Sequence, residues 1–168
     1  METTHRLCTL ALSLAVAALA GCSHSQPVAD EAGVHQWMAE FTHAFDARDT
    51  NAVMELYTPD VVAYDTIPPL QYVGRDIYGR DFASFFAQFK GPLALELRDV
   101  HIQVSGDLAL IDCLEHVTGT MTSGQPLDMW FRSTTGLRKV NGKWLDFHDH
   151  VSVPADFSTG RAVVDLKP

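Results

Sequence analysis

From Asp128 to Pro154 the chain reads DMWFRSTTGLRKVNGKWLDFHDHVSVP, two runs of near-alternating character on either side of Asn141-Gly142. An Asn-Gly pair readily takes the positive backbone angles of a two-residue turn, so the stretch predicts an antiparallel hairpin. Side chains alternate along a strand. Trp130, Arg132 and Thr134 therefore share one face of the first run, and Trp144, His148, His150 and Ser152 share one face of the second. Outer faces of sheets ordinarily carry Lys, Glu and Thr, so aromatic, guanidinium and imidazole groups gathered together suggest a pocket.

Working upstream, Ser123-Gly124-Gln125-Pro126 turns the chain into this hairpin from a long strand expected over Leu108 to about Thr122. Before it, Leu93, Leu95 and Leu97 alternate, then Val100, Ile102 and Val104 alternate on the opposite parity. That switch predicts a bulge near Arg98-Asp99 and a bent strand. Further back the period becomes helical. Val34, Trp37, Met38, Phe41 and Phe45 make one apolar stripe on a helix starting near Asp30; a second short helix is expected over Asn51 to Tyr57, capped by Asp49 or Thr50. After a short strand over Asp60 to Thr66, a third helix, from about Asp76 to Phe89, carries Phe82, Phe85, Phe86 and Phe89. These rings are expected in the core, with one or two lining a cavity. Helices followed by long antiparallel strands make an α+β domain in which helices cover one face of a curved sheet, and the concavity is a ligand site by default.

The first residues are of another kind. Arg6 precedes an apolar run from Leu7 to Ala20 that is short for a permanent span, and Leu19-Ala20-Gly21-Cys22 follows. This resembles a bacterial lipobox, which implies cleavage before Cys22 and lipid attachment to it. The expected organisation is a signal peptide over 1–21, a tether over 22–33 and a domain over 34–168. Ser23 after the cysteine favours the outer membrane in a Gram-negative cell, so the expected place is the cell envelope, on the periplasmic side. Cys8 is lost with the peptide, and Cys113, in the apolar run DLALIDCL, is expected to be an inert thiol with no disulfide partner. Twelve Lys and Arg against twenty-one Asp and Glu, a formal charge of -9, leave no basic stripe for phosphates, so nucleic acid is excluded as a partner.

The helical start with FDARDTNAVMELYTPDVV, Gly74-Arg75 before a helix, and the ending RKVNGKWLDFHDHVSVP resemble the SnoaL-like and ketosteroid isomerase-like branch of the nuclear transport factor 2-like superfamily, over roughly residues 31 to 155. The resemblance implies a cone-shaped, curved antiparallel sheet with three N-terminal helices on its concave face, and a homodimer. The fold hosts isomerases, dehydratases, cyclases and modules that only bind. Of the ketosteroid isomerase machinery, Asp65 falls at the position of the carboxylate base. Phe41 falls at the position of the oxyanion-hole tyrosine, and the position of the protonated aspartate falls near Thr135 or Gly136, so only the base matches.

Asp65 is thus the expected catalytic base, its alternative role being a turn-forming carboxylate before Thr66-Ile67-Pro68. His148 and His150 are expected as its acid-base partners; the competing placement puts them on a dimer surface. Trp130, Arg132, Thr134, His116 and Asp149 are the candidate ligand-binding residues, Arg132 as a clamp for an oxygen of the ligand or as a structural partner of Asp65 or Asp149. A metal shared by His148, His150 and either His116 or Asp112 is weighed and not adopted, and no cofactor is expected. The hairpin register decides among these. A two-residue turn sets Thr134 opposite Asp149, and a three-residue loop sets it opposite His148. The second register, which gathers the polar groups on one face, is preferred, whereas distant relatives place Phe147, Asp149 and Val151 inside. The function expected is binding of a small, partly apolar molecule by an envelope lipoprotein, with possible proton abstraction leading to isomerisation or dehydration. The alternative is a non-catalytic binding or assembly module.

Overall fold

The computed structural model describes residues 27–168, so the expected signal peptide, Cys22 and the first part of the tether lie outside the described residues. Helix α1 (Pro27–Asp46) already runs through residues expected as tether. Its early turns are held by the last strands: Trp144 Nε1 donates to Asp30 O at 3.2 Å, and Lys139 pairs with the Asp30 carboxylate. Gly33 lets the two meet, because a Cβ there would lie 2.8 Å from the Trp144 indole. The apolar stripe is buried as its spacing predicts, with Val34, Trp37, Phe41 and Phe45 all in the core.

Helix α2 (Thr50–Met54) is capped by Asp49, whose carboxylate accepts from the backbone N–H groups of Asn51 and Ala52 at 3.1 and 3.0 Å. It ends sooner than expected, and Tyr57 opens strand β1 (Tyr57–Tyr64). Strand β2 (Tyr72–Val73) and helix α3 (Arg75–Phe86) follow. Then come the long strands β3 (Phe89–Ser105), β4 (Leu108–Met121), β5 (Pro126–Val140) and β6 (Lys143–Ser152). A small hairpin of β7 (Ala155–Asp156) and β8 (Arg161–Ala162) closes the chain. The bend in β3 lies where the parity switches: Asp99 has φ 51° and the pairing with β4 shifts between Arg98 and His101.

The sheet order is β2-β1-β6-β5-β4-β3. It corrects the expectation of a purely antiparallel sheet, because β6 returns beside β1 in parallel. The chain between them contains a helix and four strands, and so long a crossover permits the parallel neighbour. Helices α1 and α3 supply the aromatic side chains of the concave side. Trp37 stacks on Phe41 at 5.3 Å, and Phe45 meets Phe86 edge-on at 5.3 Å.

The hairpin takes neither expected register. Its turn has two residues, Asn141 and Gly142 at φ 52° and 81°, and Val140 pairs with Lys143. Pairing continues to Leu137 opposite Asp146, then resumes at Gly136 opposite His148, so Phe147 is an extra residue in β6. Such a bulge shifts register within the strand instead of at the turn. Thr134 consequently lies opposite His150. Gly136 makes room for the inserted ring, since a Cβ there would lie 3.1 Å from Phe147 Cζ. Because of the bulge, Trp144, Asp146 and Asp149 are all buried, and Trp144 does not share a face with His148.

Candidate functional site

Between the concave face and helices α1 and α3 lies a cavity of about 280 Å³. Its wall is largely aromatic: Phe41 and Phe45 from α1, Tyr78, Phe82 and Phe85 from α3, then Phe89 and Phe131 from the sheet. The helical and strand periods described above put these rings there. Val117, Met121, Leu127, Met129 and Val151 complete the apolar lining, and Asp65, Thr66 and Ile67 come from the loop after β1. Four acidic residues face this space, Asp65, Asp81, Glu115 and Asp149.

Asp149 is held by two phenols. It sits between Thr135 of β5 and Ala63 of β1 and is 6% exposed. Tyr57 Oη donates to its Oδ2 at 3.1 Å, and Tyr78 Oη lies 3.2 Å from the same oxygen. Burial raises its pKa to about 6, the charge of Asp65 adds to the rise, and the two phenols oppose it. Tyr78 Oη is also 3.1 Å from Asp65 Oδ2. One phenolic hydrogen thus faces two carboxylates, and because Tyr57 already serves Asp149, the Tyr78 hydrogen can be given to either. Asp65 forms the expected local turn, its Oδ1 accepting from Thr66 Oγ1 at 3.1 Å, and its side chain also lines the cavity. Burial pushes both phenols well above their usual range, so they remain hydrogen-bond donors.

Glu115, on β4 opposite Phe131, is the residue that sequence reasoning missed. Burial raises its pKa to about 8, reinforced by the charge of Asp149. The Ser133 hydroxyl lies close enough to oppose this rise but forms no hydrogen bond in normal geometry. A detectable signal exists: Glu115 shares the parity of Ala109, Ile111 and Val117, a carboxylate on an otherwise apolar face. Deeper still, Asp146 is fully buried with both carboxylate oxygens unpartnered, and burial raises its pKa. At the rim, Tyr72 Oη lies 2.8 Å from Asp81 Oδ1. Cys113 lies in a recess beside Glu115, and burial lifts its thiol to about 12, which leaves it protonated.

Of the sequence-derived candidates, Asp65 and Asp149 come together at the cavity. His148, His150, Trp130, Arg132, Thr134 and His116 do not; they share the opposite face of the sheet, which corrects their placement around a pocket. The reason is strand alternation around the bulge: Asp149 points inward, so its neighbours His148 and His150 point outward. On that outer face Tyr64 meets the rings of His148 and His150 edge-on at 5.1 and 5.6 Å. His116 stacks on Trp130 at 4.2 Å, its Nε2 is 2.7 Å from Asp128 Oδ1, and Arg98 lies over the Trp130 ring. Thr134 lies opposite Asp112 of β4 and Arg132 opposite Leu114. Among the described residues no group of three or more His, Cys, Asp or Glu is placed to hold a metal ion, and no helix is long and apolar enough to cross a membrane.

The chain is similar to known proteins over most of its length. The model of the SnoaL-like domain family matches residues 34–156. An NTF2-like protein of unknown function from Pseudomonas putida KT2440 is 31% identical, with a TM-score of 0.76 over 84% of this chain and 98% of that one. A ketosteroid isomerase-like protein from Erwinia carotovora atroseptica is 26% identical, with a TM-score of 0.63 over 72% of this chain and 93% of that one. A nuclear transport factor 2-like superfamily protein from Salmonella enterica serovar Typhimurium shares the fold at 18% identity, with a TM-score of 0.69 over 81% of this chain and 99% of that one. A comparison with curated protein sequences finds no match.

Proposed function

The chain belongs to the SnoaL-like domain family, and from that premise we propose that it binds a small, partly apolar molecule in the aromatic cavity and moves a proton on it, as an isomerase or a dehydratase. The observation that carries this reading is the carboxylate pair joined by Tyr78: Asp65 and Asp149 reach the cavity through oxygens 3.1 and 3.2 Å from one phenol. A partner that takes up and returns a proton near neutral pH is better matched when burial lifts it above the ordinary carboxylate range, as it does Asp149. Asp65, the less buried of the two, is the proposed base. Asp149 is the proposed partner that accepts or returns the proton through Tyr78. This takes over the part first given to His148 and His150. Glu115, protonated at neutral pH by its burial, can donate to an oxygen of the ligand where charge develops. The resemblance to a ketosteroid isomerase-like protein supports the reaction class.

The test begins with native mass spectrometry of the purified protein to identify what it carries. The ligand is then followed by NMR in D2O with wild type and with Asp65→Asn. Deuterium entering a carbon of the ligand only with wild type is the expected result. Tight binding with no exchange in either protein favours the non-catalytic module.

In the same proposal, Cys22 carries a lipid that holds the domain at the cell envelope. Cys22→Ser should release soluble protein, and unchanged membrane association would remove the anchor. We also propose a homodimer through the outer face of the sheet, where Tyr64 and Leu110 remain 39% and 41% exposed.

A further inference from the structure

We infer that the ligand is a cation on an apolar body, a protonated or quaternary amine seated among phenylalanine rings with its charged end towards Asp149, Glu115 and Asp65. The inference rests on the proposal that this cavity is a small-molecule site and names the chemistry of its occupant. Four of the residues around the cavity are acidic, and none is Lys, Arg or His. An anionic ligand, a carboxylate or a phosphate ester, would be stripped of water beside carboxylates with no compensating cation.

The remaining walls favour a cation over a neutral molecule. Phe41, Phe82, Phe85, Phe89, Phe131 and Tyr78 surround the space, and the negative faces of aromatic rings attract an ammonium group, most strongly where water is excluded. Glu115 is the independent sign. It lines the cavity, and the Ser133 Oγ beside it is buried without a hydrogen-bond partner. A neutral ligand leaves that carboxyl protonated, as a donor, whereas an ammonium group favours its ionised form and pairs with it. A bare metal ion fits poorly, because most of the 280 Å³ is apolar and would stay unfilled. A positive charge near the reacting carbon also acidifies its C–H bond, which suits a carboxylate base.

Three probes on one benzyl frame separate these cases: benzyltrimethylammonium, its uncharged carbon isostere neopentylbenzene, and the anion phenylacetate. Binding to the purified protein is followed by protein-observed NMR. The ammonium probe should bind at least about tenfold more tightly than the isostere, on the scale of a desolvated cation–π and charge contact, and phenylacetate should not bind detectably. Glu115→Gln, Asp149→Asn and Asp65→Asn should each shrink the preference while the isostere binds as before. The ionisable groups facing the cavity are Asp65 after β1, Asp81 and Tyr78 on α3, Glu115 on β4 and Asp149 on β6, with Tyr57 and Cys113 behind them. Asp149 and Glu115, lifted by burial to about 6 and about 8, ionise as pH rises from 5 to 8 while the phenols and the thiol stay protonated, so affinity for the ammonium probe should rise over that window. Equal or tighter binding of neopentylbenzene, or a preference untouched by all three variants, overturns the inference and leaves the small-molecule site standing. Failure of both probes to bind overturns the two together.

Discussion

Tyr57 Oη donates to Asp149 Oδ2 across 3.1 Å, a single bond that ties the first strand of the main sheet to its last, 92 residues later. Both groups are buried, so the phenol has no water to fall back on. Tyr57→Phe leaves Asp149 with Tyr78 alone. Losing one donor to the ionised form should raise the Asp149 pKa further and cost about 1–3 kcal/mol at pH 7, the range for an unmade buried hydrogen bond. Urea denaturation and carboxyl-carbon NMR titration measure the two effects, and an unchanged titration would mean that Tyr57 does not serve Asp149.

Glu115 gives the fold a pH dependence of unusual sign. Its folded pKa, about 8, stands above its ordinary value of 4.5. A carboxyl raised by folding contributes most below the unfolded value, and that contribution is lost as pH climbs from 4.5 to 8. Glu115→Gln lacks the term. Its stability curve should be flatter over this range, and at pH 8 it should exceed wild type by on the order of a few kcal/mol, at about 1.4 kcal/mol per pKa unit. Chemical denaturation at pH 5 and pH 8 decides the matter; parallel curves would rule out the buried acid.

Gly33 is where α1 touches Trp144. Adding a methyl group puts a Cβ 2.8 Å from the indole, so Gly33→Ala must push the helix or the ring aside. The cost expected is about 1–3 kcal/mol, typical of overpacking, offset in part by the better helix propensity of alanine. Thermal unfolding gives the net value. A stabilised Gly33→Ala would show that the contact relaxes freely.

The two faces of the sheet should respond separately. Tyr64→Glu with Leu110→Glu places two charges on the outer face, and the proposed dimer should then sediment as a monomer in analytical ultracentrifugation. His148→Ala with His150→Ala should leave the titration of the cavity carboxylates unchanged, because the sheet lies between them. A shift in that titration would place the imidazoles at the site after all.

Much of this architecture is visible in the chain as written. The period-four aromatics of α1, the parity switch at Asp99 and the Asn141-Gly142 turn each act through local geometry, and each produced the element it predicts. The parallel pairing of β1 with β6 is not local. It follows from how the whole sheet closes, which no short window carries. The candidate site failed at one point for a similar reason: Phe147 looks like any strand residue, and only its packing over Gly136 makes it an insertion. Asp65 is legible as a carboxylate at a strand end and Asp149 as part of the polar run in the hairpin, but Tyr57 reads as the close of a helix, and Glu115 as one acid in an apolar strand.

The Phe147 bulge therefore does more than bend a strand. Remove that residue and everything beyond it in β6 turns over: His148, His150 and Ser152 swing towards the aromatic cavity while Asp149 and Val151 swing out. A one-residue deletion would trade the Asp149 carboxylate for imidazoles beside Asp65, Asp81 and Glu115, so relatives that differ only in this insertion can present different acid-base character from nearly the same letters.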